Sequence, residues 1–93
     1  MSYDDLVFRV HAIQRMFERG INETDVRDVL ENGEVIESYP DDAPYPSFLV
    51  LGFVGGRPIH VVASDASDQH ATVVISVYEP DLRRWDQTYR YRR

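Results

Sequence analysis

The stretch SFLVLGFVGGRPIHVVASDA, residues 47–66, decides the fold of this 93-residue chain. It consists of two apolar runs, 47–54 and 57–66, separated by Gly55 and Gly56. Two glycines between β-prone runs are typical of a two-residue hairpin turn, because the favoured turns of that length need positive φ angles. The sequence therefore predicts a β-hairpin at its centre.

The hairpin turn also fixes which side chains share a face of the sheet. Counting back from the turn places Val50 opposite Val61 and Leu51 opposite His60. The face that the helices cover is then expected to bury one apolar set: Phe48, Val50, Ile59, Val61, Val73, Ile75 and Val77. The opposite face is expected to be a mixed one, made of Leu49, Leu51, Phe53, His60, Val62, Thr72, Val74, Ser76 and Tyr78.

Further strands are predicted on both sides of the hairpin. Residues 33–40 form a short β-prone run that Pro40 ends, and we expect this strand at or near an edge of the sheet. In residues 72–80, Val73, Ile75 and Val77 recur at every second position, and the run stops at Pro80. Together with the hairpin, these runs predict an antiparallel meander of four strands.

Two helices are predicted before the strands. Apolar residues recur at helical spacing from about His11 to Arg19, just before a glycine. The second helix is expected to start at Asn22, a natural N-cap, and to end at Asn32. The complete prediction is an α+β fold that forms a single domain over residues 1–93. Its two N-terminal helices pack on a mainly antiparallel four-stranded sheet, and a short aromatic and basic tail follows.

The charge is unevenly distributed along the chain. The net charge of −6 and the pI ≈ 4.8 argue against nucleic-acid binding by bulk electrostatics. Residues 1–82 hold five arginines against fifteen acidic residues, whereas residues 83–93, the basic tail, hold five arginines and one acidic residue, Asp86. This tail either docks on the acidic body of its own chain or contacts a nucleic acid or a partner.

Several classes of site are excluded by composition and motifs. The chain has no cysteine, which excludes disulfide scaffolds, thiol nucleophiles and cysteine-bound zinc. Because His11, His60 and His70 lack metal-ligand spacing, and no Walker, GxGxxG, GxSxG or HExxH motif is present, we expect no metal or cofactor. An acidic N-terminus and the lack of an apolar run of about 20 residues predict a cytoplasmic protein without a membrane span.

Two sets of cationic and aromatic side chains are candidates for a site. His11, Arg15 and Arg19 recur every four residues, so they form one stripe on the first helix. That stripe is either a catalytic or phosphate-binding surface or a solvated helix face. In the basic tail, Trp85 and Tyr89 either stack on RNA bases or cover the apolar side chains of the mixed sheet face.

A third candidate is His60, which stands in an otherwise apolar strand. A buried imidazole needs hydrogen-bond partners for both ring nitrogens, and the expected cross-strand neighbours Ser76 and Tyr78 carry hydroxyl groups. His60 is therefore either a hydrogen-bonded core histidine or a titrating group at a site.

An ordered set of segments carries a family resemblance: HAIQRMFERGI, DVRDVLENGEVIESYPDDAPYPSFLVLG, RPIHVV and VYEPD, with Trp85 shortly after. It resembles an uncharacterised family of small proteins, a domain of unknown function, over essentially the whole chain. That family is grouped with the RelE, ParE and BrnT-like small toxins, and its members often accompany a zinc-finger antitoxin of the MqsA type. The resemblance implies a RelE-like fold of two helices followed by an antiparallel sheet.

The resemblance also implies a function, that of a toxin in a type II toxin–antitoxin pair. Such a toxin cleaves RNA, free or on the ribosome, by attack of the RNA's own 2′-hydroxyl, and its partner is a zinc-finger or helix-turn-helix antitoxin. The implied catalytic set is His60 as base or acid, Tyr78 as positioning group or proton donor, Arg15 as phosphate clamp and His11 as second proton-transfer group. The candidate RNA-binding set, chosen from the arginine and aromatic side chains, is Arg19, Arg57, Trp85 and Arg90.

A second interpretation is not enzymatic. In it, the same polar residues stabilise the fold, and the open sheet face binds another protein or a second copy of the chain. The acidic composition favours this interpretation, since RelE-like ribonucleases are commonly basic. An adjacent reading frame that encodes a zinc-finger or helix-turn-helix protein would favour the toxin.

Overall fold

The computed structural model describes residues 5–93. In chain order the elements are β1 (Asp5–Phe8), α1 (Val10–Arg19), α2 (Glu23–Asn32), β2 (Glu34–Tyr39), β3 (Ser47–Val54), β4 (Arg57–Ala66), a short 3-10 helix (Ser67–Gln69) and β5 (Ala71–Tyr78). The five strands form one sheet in the order β1-β5-β4-β3-β2. Strand β1 is parallel to β5, and the other neighbours are antiparallel. None of the helices in residues 5–93 is long and apolar enough to cross a membrane.

Both helices have local signals at their ends. Gly20 ends α1 with a φ of 64°, and its N–H is directed at the carbonyl oxygens of the last turn. Asn22 caps α2 by accepting a hydrogen bond from the backbone of Asp25, whose carboxylate accepts one from the backbone N–H of Asn22. The predicted helix boundaries are confirmed to within one residue.

The central hairpin and its register are confirmed. The turn residues Gly55 and Gly56 have φ angles of 56° and 81°, as a two-residue turn of this kind requires. Leu51 lies opposite His60, as the count from the turn predicts. Strand β2 forms one edge of the sheet, also as predicted.

Both helices pack on one face of the sheet and bury the core there. The core cluster consists of Ala12, Met16, Ile21, Val26, Val29, Leu30, Val50, Ile59, Val61, Ala63, Val74 and Val77. Val61 thus faces the helices, while its neighbour His60 lies on the opposite face. The predicted division of β3 and β4 into two faces is confirmed.

The predicted faces were wrong for the first half of β5: Val73 and Ile75 were expected in the core, and Thr72 and Val74 on the mixed face. Val62 pairs with Ser76, but the next residue of β4 pairs with Val74, so that Ile75 is one extra residue in β5. A β-bulge of this kind reverses the alternation of side chains beyond it. Val74 therefore belongs to the core, whereas Val73 and Ile75 are only half-buried.

The predicted four-stranded antiparallel sheet preceded only by helices was also wrong. A strand, β1, comes before α1 and adds a parallel edge to make a mixed sheet of five strands. Leu6 and Phe8 pack against the core, whereas Val7 between them is exposed. Four residues give a weak signal, and their partner strand lies at the other end of the sequence.

Candidate active site

A cleft of about 500 Å³ opens where α1, the end of β5 and residues 81–93 meet. We call residues 81–93 the C-terminal segment and this space the α1–β5 cleft. The side chains that line it come from all three elements: His11, Arg15, Arg19, Ser76, Tyr78, Glu79, Asp81, Arg84, Trp85 and Arg92. The cleft thus brings together three of the four predicted catalytic residues, His11, Arg15 and Tyr78.

The cationic stripe of α1 forms one side of this cleft. His11, Arg15 and Arg19 are all exposed on the helix surface and all line the cleft. Arg15 also lies 3.8 Å from Glu18, and both side chains of this pair are about half exposed. An ion pair of that kind contributes little to stability. The stripe is therefore a solvated helix face that is also available to a ligand.

The end of β5 forms the floor of the cleft. Strand β1 stops at Phe8, which pairs with Val74, so β1 flanks only the first half of β5. In the second half, Tyr78 lies opposite His60 on β4, and Ser76 lies opposite Val62. The predicted common face of His60, Ser76 and Tyr78 is confirmed.

His60 lies behind Tyr78 and has 0% of its surface exposed. Its Nδ1 is 3.2 Å from the hydroxyl oxygen of Tyr78, and its Nε2 is 2.9 Å from the backbone carbonyl oxygen of Tyr89. The imidazole also meets the ring of Trp85 edge-on, with 4.5 Å between ring centroids. Burial lowers the pKa of His60 below its ordinary value of 6.5, so the ring is neutral at neutral pH. In the structure, His60 is a hydrogen-bonded core histidine.

The C-terminal segment covers the mixed face of the sheet. Trp85 is only 3% exposed, and Leu49 and Leu51 on that face are also buried. The ring of Tyr89 contacts Phe53 edge-on, with 6.2 Å between centroids. This arrangement confirms that the tail aromatics cover the apolar part of the face.

The basic tail docks on the acidic body of the same chain. Arg90 pairs with Glu34 at 2.9 Å, and Arg92 pairs with Glu37 at 3.0 Å, so both arginines reach β2. The hydrogen bond from Arg92 is the largest cause that lowers the pKa of the Glu37 carboxyl. The Arg92 guanidinium also lies over the ring of Trp85, 4.6 Å from its centroid. Intramolecular docking is therefore what the structure shows for this tail.

Although the chain is acidic, the cleft is locally basic. Its charged lining consists of four arginines and two acids: Arg15, Arg19, Arg84, Arg92, Glu79 and Asp81. Arg92 is neutralised by Glu37, but no ion pair within residues 5–93 engages Arg19 or Arg84. Arg84 was not among the predicted site residues, because nothing in the sequence distinguishes it from the other four arginines of the tail.

Two of the predicted RNA-binding arginines are engaged inside the protein. Arg57 pairs with Glu79 and donates to the carbonyl oxygen of Arg19 at 2.7 Å, which fastens the end of α1 to the sheet. Arg90 holds β2 through its pair with Glu34. Neither arginine belongs to the lining of the cleft. Of the predicted RNA-binding set, Arg19 and Trp85 remain in it.

The comparisons with known proteins give one match. Residues 8–79 match the family model described as a domain of unknown function, DUF4258. The chain belongs to this family. The matched residues include α1, β4 and β5, and with them His11, Arg15, His60 and Tyr78, whereas the C-terminal segment lies outside the match. No curated protein and no solved structure matches the chain.

The chemistry available to this DUF4258 member is that of the side chains in the cleft. Within residues 5–93 there is no group of three or more histidine, aspartate or glutamate side chains that could hold a metal ion. The cleft combines cationic groups that bind anions with histidine and tyrosine groups that transfer protons. These are the types of group that phosphodiester cleavage needs.

The burial of His60 predicts how stability depends on pH. Its pKa in the folded protein lies below the 6.5 of the unfolded chain. Between these two values the unfolded chain binds a proton that the folded chain does not, so the free energy of unfolding decreases as the pH falls below about 6.5. Urea denaturation at pH 7 and pH 5 measures this decrease.

The matched variant for this measurement is His60→Gln, because glutamine has a donor and an acceptor but does not titrate. We expect the variant to lose less stability than the wild type between pH 7 and pH 5. His11 and His70 remain in both proteins, so the difference isolates His60. Equal losses in the two proteins would show that His60 does not contribute to the acid sensitivity.

Proposed function

We propose that this chain is the toxin of a type II toxin–antitoxin pair and that it cleaves RNA in the α1–β5 cleft. One observation supports this function above others: an acidic protein collects His11, Arg15, Arg19 and Tyr78 around a single cleft. Its volume of about 500 Å³ lies within the range of small-molecule and cofactor sites. In this proposal the protein acts in the cytoplasm, where its RNA substrate is found.

The proposed reaction is attack of a ribose 2′-hydroxyl on the adjacent phosphodiester. The 2′-oxygen–phosphorus bond forms and the phosphorus–5′-oxygen bond breaks, which leaves a 2′,3′-cyclic phosphate and a 5′-hydroxyl. One group must take the 2′-hydroxyl proton, another must protonate the leaving oxygen, and cations must stabilise the charge on phosphorus. Tyr78 and His11 are the proton-transfer groups of the cleft, and Arg15 and Arg19 are its phosphate ligands.

The local basic charge removes the objection that the chain is too acidic for a ribonuclease. The net charge of −6 opposes long-range attraction of RNA, but Arg19 and Arg84 face the cleft without an ion-pair partner among the described residues. Few phosphate contacts give a weak intrinsic affinity and a small salt dependence. A surface of this kind favours RNA that is presented by another body, such as the ribosome.

The first test is cleavage of a labelled single-stranded RNA by the purified chain, with and without ribosomes. We expect products that end in a 2′,3′-cyclic phosphate, and no cleavage of DNA of the same sequence. Tyr78→Phe is expected to lower the cleavage rate about 100-fold, which is typical for the loss of a general acid or base. Tyr91→Phe is the matched control, since Tyr91 is 68% exposed and lies outside the cleft.

Absence of cleavage under both conditions would contradict the proposed function, as would equal rates for wild type and Tyr78→Phe. A cellular experiment tests the partner. Controlled expression of the chain is expected to arrest growth, and coexpression of the zinc-finger or helix-turn-helix protein from an adjacent reading frame is expected to restore it. Growth that is unaffected by the chain would contradict the toxin assignment.

A second candidate function is that of an interaction module that self-associates. The C-terminal segment covers the open sheet face that the sequence suggested for this role, but α1 has a separate apolar stripe of Val10, Ile13 and Phe17. Phe17 is 89% exposed, which is unusual for so large an apolar side chain. Two copies of α1 in antiparallel contact would place Val10 of each near Phe17 of the other. A monomeric mass by light scattering at high protein concentration would contradict this candidate.

A further inference from the structure

From the contacts of His60 we infer that Tyr78 and His60 form a proton relay, in which Tyr78 contacts the substrate and His60 accepts the tyrosine's proton from behind. This inference rests on the proposed function and changes the role of His60. A histidine with no exposed surface cannot contact RNA in the cleft. It can act only through Tyr78, which lines the cleft and whose hydroxyl it contacts.

The hydrogen bonds of His60 fix its tautomer. Nε2 lies 2.9 Å from the carbonyl oxygen of Tyr89, and a carbonyl oxygen only accepts hydrogen bonds. Nε2 must therefore carry the ring hydrogen. In a neutral imidazole the other nitrogen then has a lone pair, so the Tyr78 hydroxyl donates to Nδ1 across 3.2 Å.

This direction of the hydrogen bond determines what Tyr78 offers a ligand. Because its own hydrogen is directed at His60, the Tyr78 oxygen presents lone pairs and accepts a hydrogen bond from the substrate. The charged arginines that line the cleft are donors only. Tyr78 is thus suited to a hydroxyl group next to a phosphate, which is the arrangement at a ribose 2′-position.

The surroundings of the pair suit transfer in this direction. Burial is the largest cause that raises the pKa of the Tyr78 hydroxyl, so the phenol does not ionise by itself at neutral pH. The charged groups that act on His60 are Glu37, which favours its protonation, and Arg92, which opposes it. Once protonated, the imidazolium donates to the Tyr89 carbonyl and back to the Tyr78 oxygen. His60 is therefore able to hold the proton for the duration of the step.

The step balances with the groups of the cleft. The 2′-hydroxyl proton passes to the Tyr78 oxygen while the phenol proton passes to Nδ1 of His60. The 2′-oxygen forms its bond to phosphorus, and the 5′-oxygen leaves with a proton donated by His11. After the product departs, the proton on His60 returns through Tyr78 to water, and His11 regains one from water.

The deciding variant is His60→Gln, because glutamine can donate to the Tyr89 carbonyl and accept from Tyr78 but cannot take a proton. We expect its KM for the RNA oligonucleotide to stay within about twofold of wild type while kcat falls about 100-fold. Tyr78→Phe is expected to lower kcat at least as much and also to raise KM. Melting temperatures and circular dichroism of both variants check that they fold.

The pH profile of kcat gives a readout that a purely structural role would not change. In the wild type, kcat is expected to fall on acidification as His60 becomes protonated and stops accepting. His60→Gln should lack that acidic limb, whereas Tyr91→Phe should keep it. A ¹⁵N–¹H long-range correlation spectrum of the wild type is expected to show hydrogen on Nε2 and none on Nδ1.

The outcomes separate this inference from the proposed function. Wild-type kcat in His60→Gln, or hydrogen on Nδ1 of His60 in the spectrum, overturns the relay and leaves the ribonuclease standing. No RNA cleavage by the wild type overturns the ribonuclease and the relay together. Loss of kcat in His60→Gln with unchanged KM, with the acidic limb removed, supports both.

Discussion

Replacing Trp85 with alanine is expected to lower the free energy of unfolding by about 3 to 5 kcal/mol, as truncation of a buried tryptophan generally does. Trp85 is 3% exposed and contacts the ring of His60 on the sheet face opposite the helices. Its removal leaves a cavity next to His60, whose Nε2 is hydrogen-bonded to the carbonyl oxygen of Tyr89 in the same C-terminal segment. A loss of this size is a large part of the stability of a 93-residue domain.

Chemical denaturation at pH 7 measures this effect. Tyr91→Ala is the control within the same segment, because its side chain is 68% exposed and a change of no more than about 0.5 kcal/mol is expected. Truncation before Arg83 removes Trp85 together with the Arg90–Glu34 and Arg92–Glu37 ion pairs, so it should destabilise the domain by at least as much as Trp85→Ala. Unchanged stability after truncation, together with lost RNA cleavage, would instead indicate that the tail serves RNA binding.

The second large effect is expected at the junction of α2 and β2. Gly33 lies there with its backbone in an extended conformation, so it is not required for a positive φ angle. A β-carbon at Gly33 would come within 2.3 Å of the carbonyl oxygen of Val29 and 2.5 Å of that of Leu51. Both contacts are with backbone, which cannot rotate away. Gly33→Ala is therefore expected to cost about 3 kcal/mol, at the upper end for overpacking.

Gly20→Ala is the informative comparison for this variant. A β-carbon at Gly20 meets nothing within 4 Å, so its cost comes only from the φ angle of 64°. About 1 kcal/mol is expected for that conformation. If Gly33→Ala costs no more than Gly20→Ala in the same denaturation assay, the close approach of α2 to β3 is not as tight as the structure has it.

The sequence predicted the hairpin well because its determinants are local. Gly55 and Gly56 fix the turn, and the turn fixes every pair from Val54 to Ser47 without reference to the rest of the chain. The boundaries of α1 and α2 are likewise set by Gly20 and Asn22, which lie next to the helices they end or begin. These features needed no knowledge of tertiary contacts.

The errors in the predicted fold lie where pairing with another strand determines the local structure. β1 is a strand because β5 pairs with it, and its four residues alone carry little β signal. The bulge at Ile75 shifts the faces of β5, although Val73, Ile75 and Val77 recur at every second position of the sequence. A bulge depends on how two strands fit together, so the apolar pattern of one strand does not reveal it.

For the site, three of the four predicted catalytic residues line one cleft, and the fourth, His60, lies behind Tyr78. The spacing of His11, Arg15 and Arg19 guaranteed a common stripe, and the hairpin register guaranteed that His60 shares a face with Leu51. The sequence did not predict that the stripe on α1 lies next to the face of His60 and Tyr78, because this depends on how α1 packs against β5. Arg84 was missed for the same reason, because one arginine of the tail differs from the others only in its position.

The sequence by itself determined the two helices, the central hairpin and the sheet face on which His60 lies, since each follows from spacing along one or two adjacent elements. Only the tertiary structure decided that β1 completes the sheet, that the tail is held by Glu34 and Glu37, and that Tyr78 stands between His60 and the cleft. These features depend on contacts between residues far apart in the chain. Their geometry is set by packing, in which the whole domain takes part.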